Sequence, residues 1–382
     1  MVNSFRSVFP ASLILAGSLG MCAPVWAQSI GDAIPDSYIC VFKPGPVSAS
    51  FEAHAAAAKG GGRVTHIYQN ALHGFAVHMP AAAVAQLVAR NPMIDYCEQD
   101  RLAGIPDGDS SVAAGKPGGG GGTAPQTVPW GIARLQGPGD GTGKTAWIID
   151  TGIDITHPDL NFDGSRSKSF LTNDPSFNDA NGHGTHVAGI IGARNNSVGV
   201  VGVAANAKVV SLRVLNRRGS GSDSGVIGAI DYAAGSGADR AQPGDVANLS
   251  LITTFSQAMN AAVAGLGGKG VYVAIAAGNS GADASNYSPA SASGPNVFTV
   301  SAFQQVDTWA SFSNFGPPVD FSEPGVSIYS TYKGGGYATL SGTSMAAPHL
   351  AGLLLLNGTN FVTSGVVVGD PDASDDPIAV VK

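Results

Sequence analysis

From Ala124 onward, short runs of apolar residues alternate with stretches that favour helices. Strand-like runs with glycine-rich boundaries occupy residues 146–149, 208–214, 246–251 and 271–276. Because these runs are apolar throughout, both faces of each strand should be covered. The pattern predicts an α/β domain over residues 124–382, with a parallel sheet between two layers of helices. Functional sites in such sheets lie beyond the carboxyl ends of the strands.

A second, smaller unit is predicted over residues 28–100. Strand-forming and helix-forming segments follow one another in the order β-α-β-β-α-β, at residues 37–42, 47–59, 63–69, 72–79, 80–89 and 94–97. This order is typical of a ferredoxin-like α+β fold, in which the first and last strands are neighbours. Cys40 and Cys97 fall on those two strands, so a disulfide and two buried free thiols are both compatible with the pattern.

The first 27 residues have the features of a secretory signal peptide. Arg6 precedes an apolar stretch over residues 8–21, and Val25 and Ala27 are small residues placed for cleavage after Ala27. A membrane anchor is the alternative, but the apolar stretch is short for a span. Lipidation at Cys22 is disfavoured because the bulky Met21 precedes it. We therefore expect a secreted protein without a membrane association.

A linker is predicted over residues 101–123. Its last part contains an unbroken run of five glycines at residues 118–122, and no apolar period is visible. Such a segment should be flexible and open to proteolysis.

Charge and cysteine content exclude some classes of function. The formal net charge is −7, which argues against a general nucleic-acid partner because that function needs a basic surface. No cysteine follows Cys97. The domain over residues 124–382 therefore depends neither on disulfides nor on thiol chemistry.

Three segments carry side chains that together suit nucleophilic catalysis. Asp150 follows an apolar strand, His183 lies between glycines where a helix should begin, and Ser344 also opens a predicted helix. A hydroxyl can attack a carbonyl when an imidazole takes its proton and a carboxylate orients that imidazole. Each residue alone has a common structural explanation, as a turn, packing or capping residue.

Together, these segments resemble the subtilisin family of serine endopeptidases, with features closest to proteinase K. The Asp-Thr-Gly, His-Gly-Thr-His-Val-Ala-Gly and Gly-Thr-Ser-Met-Ala-Ala-Pro-His motifs occur in the family's order. The resemblance covers residues 126 to about 356 and implies a subtilisin-like three-layer α/β fold with Asp150, His183 and Ser344 as the triad. His186 and His349 are better explained as packing or hydrogen-bonding residues.

The same resemblance assigns further residues. Asn279 takes the place of the oxyanion-hole amide. Substrate is expected to add as an extended strand between two segments of the protein, with Gly219, Ser220 and Gly221 on one side and Ser250 and Leu251 on the other. The family continues with two glycines after Leu251, whereas this chain has Ile252 and Thr253, so a branched side chain stands beside the first specificity pocket.

Two structural calcium sites are also implied. Side-chain oxygens of Gln126, Asp159 and Asn196 are the candidate ligands of the first, with backbone oxygens of Arg194, Val198 and Val200. The second site would use backbone oxygens of Pro295 and Val297 together with Asp320.

The sequence as a whole predicts a secreted, monomeric serine endopeptidase that acts on polypeptides through an acyl-enzyme. Residues 28–100 resemble the family's propeptide, which assists folding and then inhibits the enzyme, and self-cleavage is expected between Arg101 and Ala124. An esterase or transpeptidase with the same triad is one alternative. A peptide-binding pseudoenzyme is the other, disfavoured because all four catalytic groups are intact.

Overall fold

The computed structural model describes residues 29–45, 48–106, 112–115, 125–372 and 374–382. The predicted signal peptide lies outside the described residues. No helix in the described ranges is both long enough and apolar enough to cross a membrane.

The N-terminal unit has the predicted order of elements. Its elements are β1 (Ala33–Phe42), α1 (Ala49–Gly60), β2 (Arg63–Tyr68), β3 (Gly74–His78), α2 (Ala81–Arg90) and β4 (Ile94–Gly104). These strands form an antiparallel sheet in the order β4-β1-β3-β2. Cys40 and Cys97 face each other across β1 and β4 and are joined in a disulfide.

The predicted boundary between this unit and the linker differs from the structure. The sequence argument ended the last strand at Cys97 and began a linker at Arg101, whereas β4 continues to Gly104. Residues 112–115 within the predicted linker form β5 (Val112–Gly115), which pairs antiparallel with residues 336–340 of the larger unit. Both strands pair with segments that are far away in the sequence, and local composition cannot reveal such partners.

The larger unit alternates strands and helices as predicted. Its helices are α3 (Trp130–Arg134), α4 (His183–Gly192), α5 (Asp223–Ala233), α6 (Gln257–Gly267) and α7 (Thr343–Asn357). The strands up to the middle of this unit are β6 (Gly139–Asp140), β7 (Thr145–Asp150), β8 (Asn161–Phe162), β9 (Lys168–Ser169), β10 (Ala204–Ala205), β11 (Lys208–Arg213), β12 (Ser220–Ser222), β13 (Val246–Leu249), β14 (Thr253–Thr254) and β15 (Tyr272–Ala276). The later strands are β16 (Tyr287–Ser288), β17 (Val297–Gln304), β18 (Thr308–Trp309), β19 (Val319–Pro324), β20 (Ile328–Tyr332), β21 (Gly336–Leu340), β22 (Val362–Val366) and β23 (Pro377–Val380), and two 3₁₀ turns lie at Ala284–Asn286 and Gln305–Asp307.

The main sheet is predominantly parallel and lies between two apolar layers. The strand order is β18-β17-β15-β13-β7-β11-β8, with β19 beside β17 and β9 beside β11. Successive residues of β7 point to opposite layers: Ala146 and Ile148 pack with α4 and α7, whereas Trp147 and Ile149 pack with α5 and α6. A strand covered on both faces explains why its sequence is apolar at every position. The predicted three-layer α/β fold is confirmed.

The C-terminal segment completes the core. After α7 the chain forms an antiparallel pair of strands, β22 and β23, and Ile378, Ala379 and Val380 are buried in the same cluster as α7. The amide of Val381 donates to the carbonyl of Leu135, 2.9 Å away. Strand β23 thus closes this layer of the core.

The disulfide should contribute measurably to stability. Cys40 and Cys97 are 57 residues apart in sequence, so the crosslink restricts the unfolded N-terminal unit. We expect the Cys40→Ser/Cys97→Ser variant to lose about 2–4 kcal/mol of unfolding free energy in this unit. Urea denaturation of the full-length precursor, followed by circular dichroism, measures the change; both proteins carry Ser344→Ala so that neither cleaves itself.

The reductant provides the control for that experiment. Adding a reductant should lower the denaturation midpoint of the precursor that has both cysteines and should leave the midpoint of the double variant unchanged. Equal midpoints for the oxidised wild type and the variant would contradict the expectation.

Candidate active site

Asp150 and His183 form a buried ion-pair geometry at the carboxyl end of β7. The Nδ1 atom of His183 lies 2.8 Å from Oδ1 and 2.9 Å from Oδ2 of Asp150. Both side chains are almost fully excluded from solvent. Since an ionised carboxylate only accepts hydrogen bonds, Nδ1 carries the proton, and Nε2 is then the basic nitrogen when the ring is neutral.

Asp179 holds this pair in place and was missed by the sequence argument. Its carboxylate accepts five hydrogen bonds of 2.6–3.0 Å from groups at the end of β7 and the beginning of α4, namely Thr151 Oγ1, Asn181 N, Gly182 N, Thr185 N and Thr185 Oγ1. The available signal was weak, an Asp shortly before the histidine in a loop of turn-forming residues. A carboxylate at the start of a helix satisfies amide groups that have no partner within the helix.

Glycine lets the helix approach the strand this closely. A Cβ atom at Gly184 would lie 2.2 Å from the carbonyl oxygen of Gly152. The amide of Gly184 also donates to Thr151 Oγ1 at 2.9 Å. The glycine that follows His183 in the sequence motif therefore has a packing role, because any side chain there would push the histidine away from Asp150.

Ser344 and Asn279 meet at the beginning of α7. Asn279 Oδ1 accepts hydrogen bonds from the amide and the hydroxyl of Thr343, at 2.9 and 2.8 Å. This fixes the orientation of the Asn279 amide and makes Nδ2 its donor edge. Ser250 Oγ donates to the carbonyl of Ser344 at 2.8 Å. Ser344 Oγ is buried and makes no hydrogen bond to any residue that the structure describes.

The parallel sheet explains how these distant residues share one edge. Strands β7, β13 and β15 are neighbours, and Asn248 of β13 is in register with Ile148 of β7. Two residues further along each chain segment are Ser250, directly after β13, and Asp150, the last residue of β7. Asn279 follows β15 at the same edge. The site is therefore built from consecutive strand ends, where α/β folds place their ligands.

His186 and His349 face other parts of the molecule. His186 Nε2 lies 3.0 Å from the carbonyls of Ile328 and Ala338, and burial lowers the pKa of His186 to about 3. His349 Nδ1 contacts the carbonyl of Met345 at 2.8 Å, and burial lowers the pKa of His349 to about 4. Two neutral, buried rings that contact backbone carbonyls fit the packing role expected for them.

The end of β4 lies as an extended strand against the larger unit. Leu102, Ala103 and Gly104 pair antiparallel with β12, and the amide of Ile105 donates to the carbonyl of Gly219 at 3.0 Å. The predicted residues Gly219, Ser220 and Gly221 are thus one wall of a groove that is filled by the chain itself. Gly219 has a φ of +78°, and a Cβ there would lie 2.6 Å from the Ile105 side chain.

The opposite wall uses a different residue from the two predicted. Gly104 exchanges both backbone hydrogen bonds with Ile252, at 2.8 and 2.9 Å. Ser250 instead anchors Ser344, and Leu251 is buried in the core layer beneath the groove. A Cβ atom built at Gly278 would lie only 2.4 Å from the δ-methyl of Ile252. The branched side chain therefore points toward the residue before Asn279 and takes up space there.

Three carboxylates tie the N-terminal unit to the larger one. Asp100 accepts hydrogen bonds from the amide and hydroxyl of Ser224 in the first turn of α5, at 3.0 and 2.6 Å. Glu98 accepts from the hydroxyl of Ser256, which caps α6, and from the amide of Ala258. Anionic groups at helix N-termini are favoured by the unpaired amides and by the helix dipole.

The third carboxylate belongs to the larger unit. Asp231, near the end of α5, accepts hydrogen bonds of 2.6–3.1 Å from the backbone amides of Gln69, Asn70 and Ala71 in the turn between β2 and β3. The two units are therefore connected by charged contacts in both directions.

The residues of the first candidate calcium site come together in one loop region. Gln126 Nε2 lies 2.7 Å from the carbonyl of Arg194 and 3.1 Å from that of Val200. Asp159 accepts hydrogen bonds from Asn196 Nδ2 at 2.8 Å and from the amide of Val200 at 3.0 Å. Val198 joins this group through its amide, which donates to Asn196 Oδ1.

These contacts suit a calcium ion in their chemistry. A half-turn of the Gln126 amide places an oxygen beside the two carbonyls, and Asp159 adds a buried carboxylate next to them. Calcium prefers such mixed oxygen ligands. At the second candidate site Asp320 accepts from the amide of Thr299 at 2.8 Å, and the structure gives no direct contact between Asp320 and Pro295 or Val297.

Comparisons with known proteins point to one family. The model of the subtilase family matches residues 141–360. Proteinase R of Parengyodontium album is 38% identical over 338 residues, which cover 85% of this chain and 80% of that protein. The subtilisin-like serine protease AsES of Sarocladium strictum is 35% identical over 383 residues, covering 92% and 91%. A solved structure described as a cold adapted subtilisin-like serine proteinase shares 38% identity with a TM-score of 0.58, covering 66% of this chain and 98% of that one.

The position of His183 should depend on Asp179. In Asp179→Asn, one of the two acceptor oxygens becomes an amide donor that faces the donors of Thr185 or Gly182. We expect the unfolding free energy to fall by about 2–3 kcal/mol and the turnover per active site to fall roughly tenfold. Peptide hydrolysis normalised by active-site titration separates the loss of turnover from the loss of folded protein.

Asp375→Asn, at an exposed acidic residue of the larger unit, is the control and should behave as wild type. Undiminished turnover per titrated site in Asp179→Asn would show that Asp179 supports only the fold.

Proposed function

Because this chain belongs to the subtilase family and is a serine endopeptidase, we propose that Ser344 is its nucleophile, His183 its general base and Asp150 the acid that orients His183. The observation that carries the assignment is the pair of short contacts from His183 Nδ1 to Asp150, beside helix α7, in which Ser344 is the second residue. Ser344 Oγ is buried and unpaired within the described residues, so its proton is available for transfer.

Each residue has one task in the reaction. Ser344 Oγ attacks the carbonyl carbon of the peptide bond while His183 Nε2 accepts the hydroxyl proton. His183 then returns the proton to the leaving amine, and water repeats the sequence on the acyl-enzyme. Asp150 keeps the imidazole in the tautomer with hydrogen on Nδ1 and stabilises its charged form.

Asn279 stabilises the oxyanion that forms during the attack. Its carbonyl oxygen is bound twice by Thr343, so Nδ2 is held in one orientation before substrate arrives. A hydrogen-bond donor that is already oriented stabilises the transition state more than one that must first rotate. In subtilisin, loss of the corresponding amide reduces turnover by about 10²–10³, and we expect the same range here.

The N-terminal unit is the intramolecular inhibitor of the enzyme. Its last strand fills the groove between β12 and Ile252 by backbone pairing, which is the way a polypeptide substrate would bind. Glu98 and Asp100 anchor it on two helix N-termini, and Asp231 anchors its turn. A product-like strand held by a folded domain blocks the groove until the domain is removed.

Maturation proceeds by self-cleavage downstream of that strand. Strand β4 ends at Gly104, and the sequence between it and Ala124 includes five consecutive glycines at residues 118–122. Cleavage in this region releases the N-terminal unit from the enzyme. Secretion, directed by residues 1–27, places this event outside the cell.

Calcium is a structural ligand at the loop that contains Asn196. Gln126, Asp159 and Asn196 would hold it with the carbonyls of Arg194, Val198 and Val200. The ion would fix the segment at Pro125–Thr127, which pairs with residues 197–200. It supplies stability and takes no part in the reaction.

The assignment of the nucleophile is tested with the full-length chain. Ser344→Ala should stay at the size of the precursor, fail to hydrolyse casein and resist labelling by a fluorophosphonate, because the attacking hydroxyl is gone. Mass spectrometry of the wild type gives the mature N-terminus.

Ser341→Ala is the matched control. This hydroxyl, three residues earlier, only accepts a hydrogen bond from the amide of Ser327, so the variant should mature and react normally. A Ser344→Ala precursor that matures by itself in a protease-free host would overturn the proposal.

Calcium binding is tested on the mature enzyme by thermal unfolding. Saturating calcium at about 100 times its dissociation constant should stabilise the fold by about 3 kcal/mol, and a calcium chelator should remove that increment. Asp159→Asn should abolish the response, whereas Asp239→Asn, an exposed acid elsewhere, should keep it. A melting temperature that changes with neither calcium nor chelator would exclude the calcium site at Asp159.

A further inference from the structure

Asp223 is a fully buried carboxylate directly beneath the strand that fills the groove. It is the first residue of α5 and is 0% exposed. Its Oδ1 atom has no hydrogen-bond partner among the residues that the structure describes. A buried carboxylate with an unsatisfied oxygen lowers the stability of the fold, so a role in binding is a better explanation for Asp223 than a role in stability.

A single hydroxyl connects this carboxylate to the bound strand. Thr253 Oγ1 lies 3.4 Å from Asp223 Oδ2 and 3.3 Å from the carbonyl oxygen of Leu102. On the other wall, Ser222, the residue before Asp223, is paired with Leu102. Asp223 therefore lies between the two walls of the groove, at the level of the peptide that joins Leu102 to Ala103.

The side chain of the bound strand that points inward at this level is very small. Ala103 pairs with Gly221, is 0% exposed and packs in the same cluster as Val226 and Leu251. Val226 follows Asp223 by three residues on α5, so both project from one face of that helix. The pocket below Ala103 thus has apolar sides and one carboxylate.

The charges around Asp223 change when the N-terminal unit leaves. The pKa of Asp223 is raised well above its usual value, first by burial and then by the neighbouring Asp100, with Glu98 acting in the same direction and Arg101 against it. All three of these neighbours belong to the N-terminal unit. Their removal, together with entry of water, restores the anionic form of Asp223 in the open groove.

We propose that Asp223 makes this pocket a subsite for a lysine or arginine side chain of the substrate, at the position that Ala103 occupies in the precursor. The aliphatic stem of such a side chain packs along Val226 and Leu251, and its charged end reaches Asp223. Ala103 of the N-terminal unit cannot pair with that carboxylate. A substrate with a basic side chain at this position should therefore bind the groove more tightly than the inhibitor strand does. The inference rests on the proposed peptidase function and deepens it to substrate preference.

Three quenched fluorescent peptides and the mature enzyme test the inference. The peptides copy residues 99–110 and carry alanine, lysine or norleucine at position 103. Norleucine keeps the unbranched aliphatic stem of lysine and lacks its charged amino group. Mass spectrometry of the products establishes that the same bond is cut in all three.

In the wild type, kcat/KM for the lysine peptide should exceed that for the norleucine peptide by about tenfold. In Asp223→Asn, that ratio should fall to about one, through a loss on the lysine peptide. Asp239→Asn, which removes a negative charge from the far end of the α5 region, should keep the wild-type ratio and controls for net charge.

A wild-type ratio near one overturns the inference, whether or not Asp223→Asn matures. A ratio that survives in Asp223→Asn also overturns it. Failure of the enzyme to cut any peptide or casein would count against the peptidase function itself and is thereby distinguished from loss of the lysine preference.

Discussion

The pairing of the end of β4 with β12 on one side and Ile252 on the other is the contact on which the organisation of this molecule depends. Backbone hydrogen bonds hold the strand regardless of most side chains, and we propose that substrates of many sequences bind in the same place once the N-terminal unit has been removed. On this proposal, inhibition and substrate binding are two uses of one surface.

The carboxylates around the groove act in opposite ways. Glu98 and Asp100 accept hydrogen bonds from amides at the N-termini of α6 and α5 and so stabilise the contact between the two units. Asp223 is buried under the strand, and its Oδ1 atom has no hydrogen-bond partner in the described part of the chain. Since the N-terminal unit contributes two of the acids that raise the pKa of Asp223, its departure changes both access and charge at the groove.

The sequence was sufficient for the fold class and for the motifs, and the reasons are local. Strand β7 reads as apolar at each position because each of its side chains enters one of two core layers. The glycines around His183 and Ser344 are part of recognisable motifs whose spacing does not depend on distant contacts. The order of elements in the N-terminal unit also followed from local patterns, and so did the neighbouring positions of Cys40 and Cys97.

What the sequence missed depends on partners that are remote along the chain. The extension of β4 to Gly104 requires β12, more than a hundred residues later, and pairing at Ile252 replaced the expected contacts at Ser250 and Leu251. Asp179 could be seen only as a turn residue, because its five donors come together only in the folded loop. Asp223 looks like an ordinary helix-start acid until its burial is known.

The burial of Ile378, Ala379 and Val380 in the main core has a consequence for biosynthesis. A ribosome makes the N-terminal unit before it makes these residues, and domains generally fold in the order of their synthesis. The N-terminal unit therefore has all of its strands before the central layer of the larger unit can close. We expect it to fold ahead of the larger unit, against which it then packs.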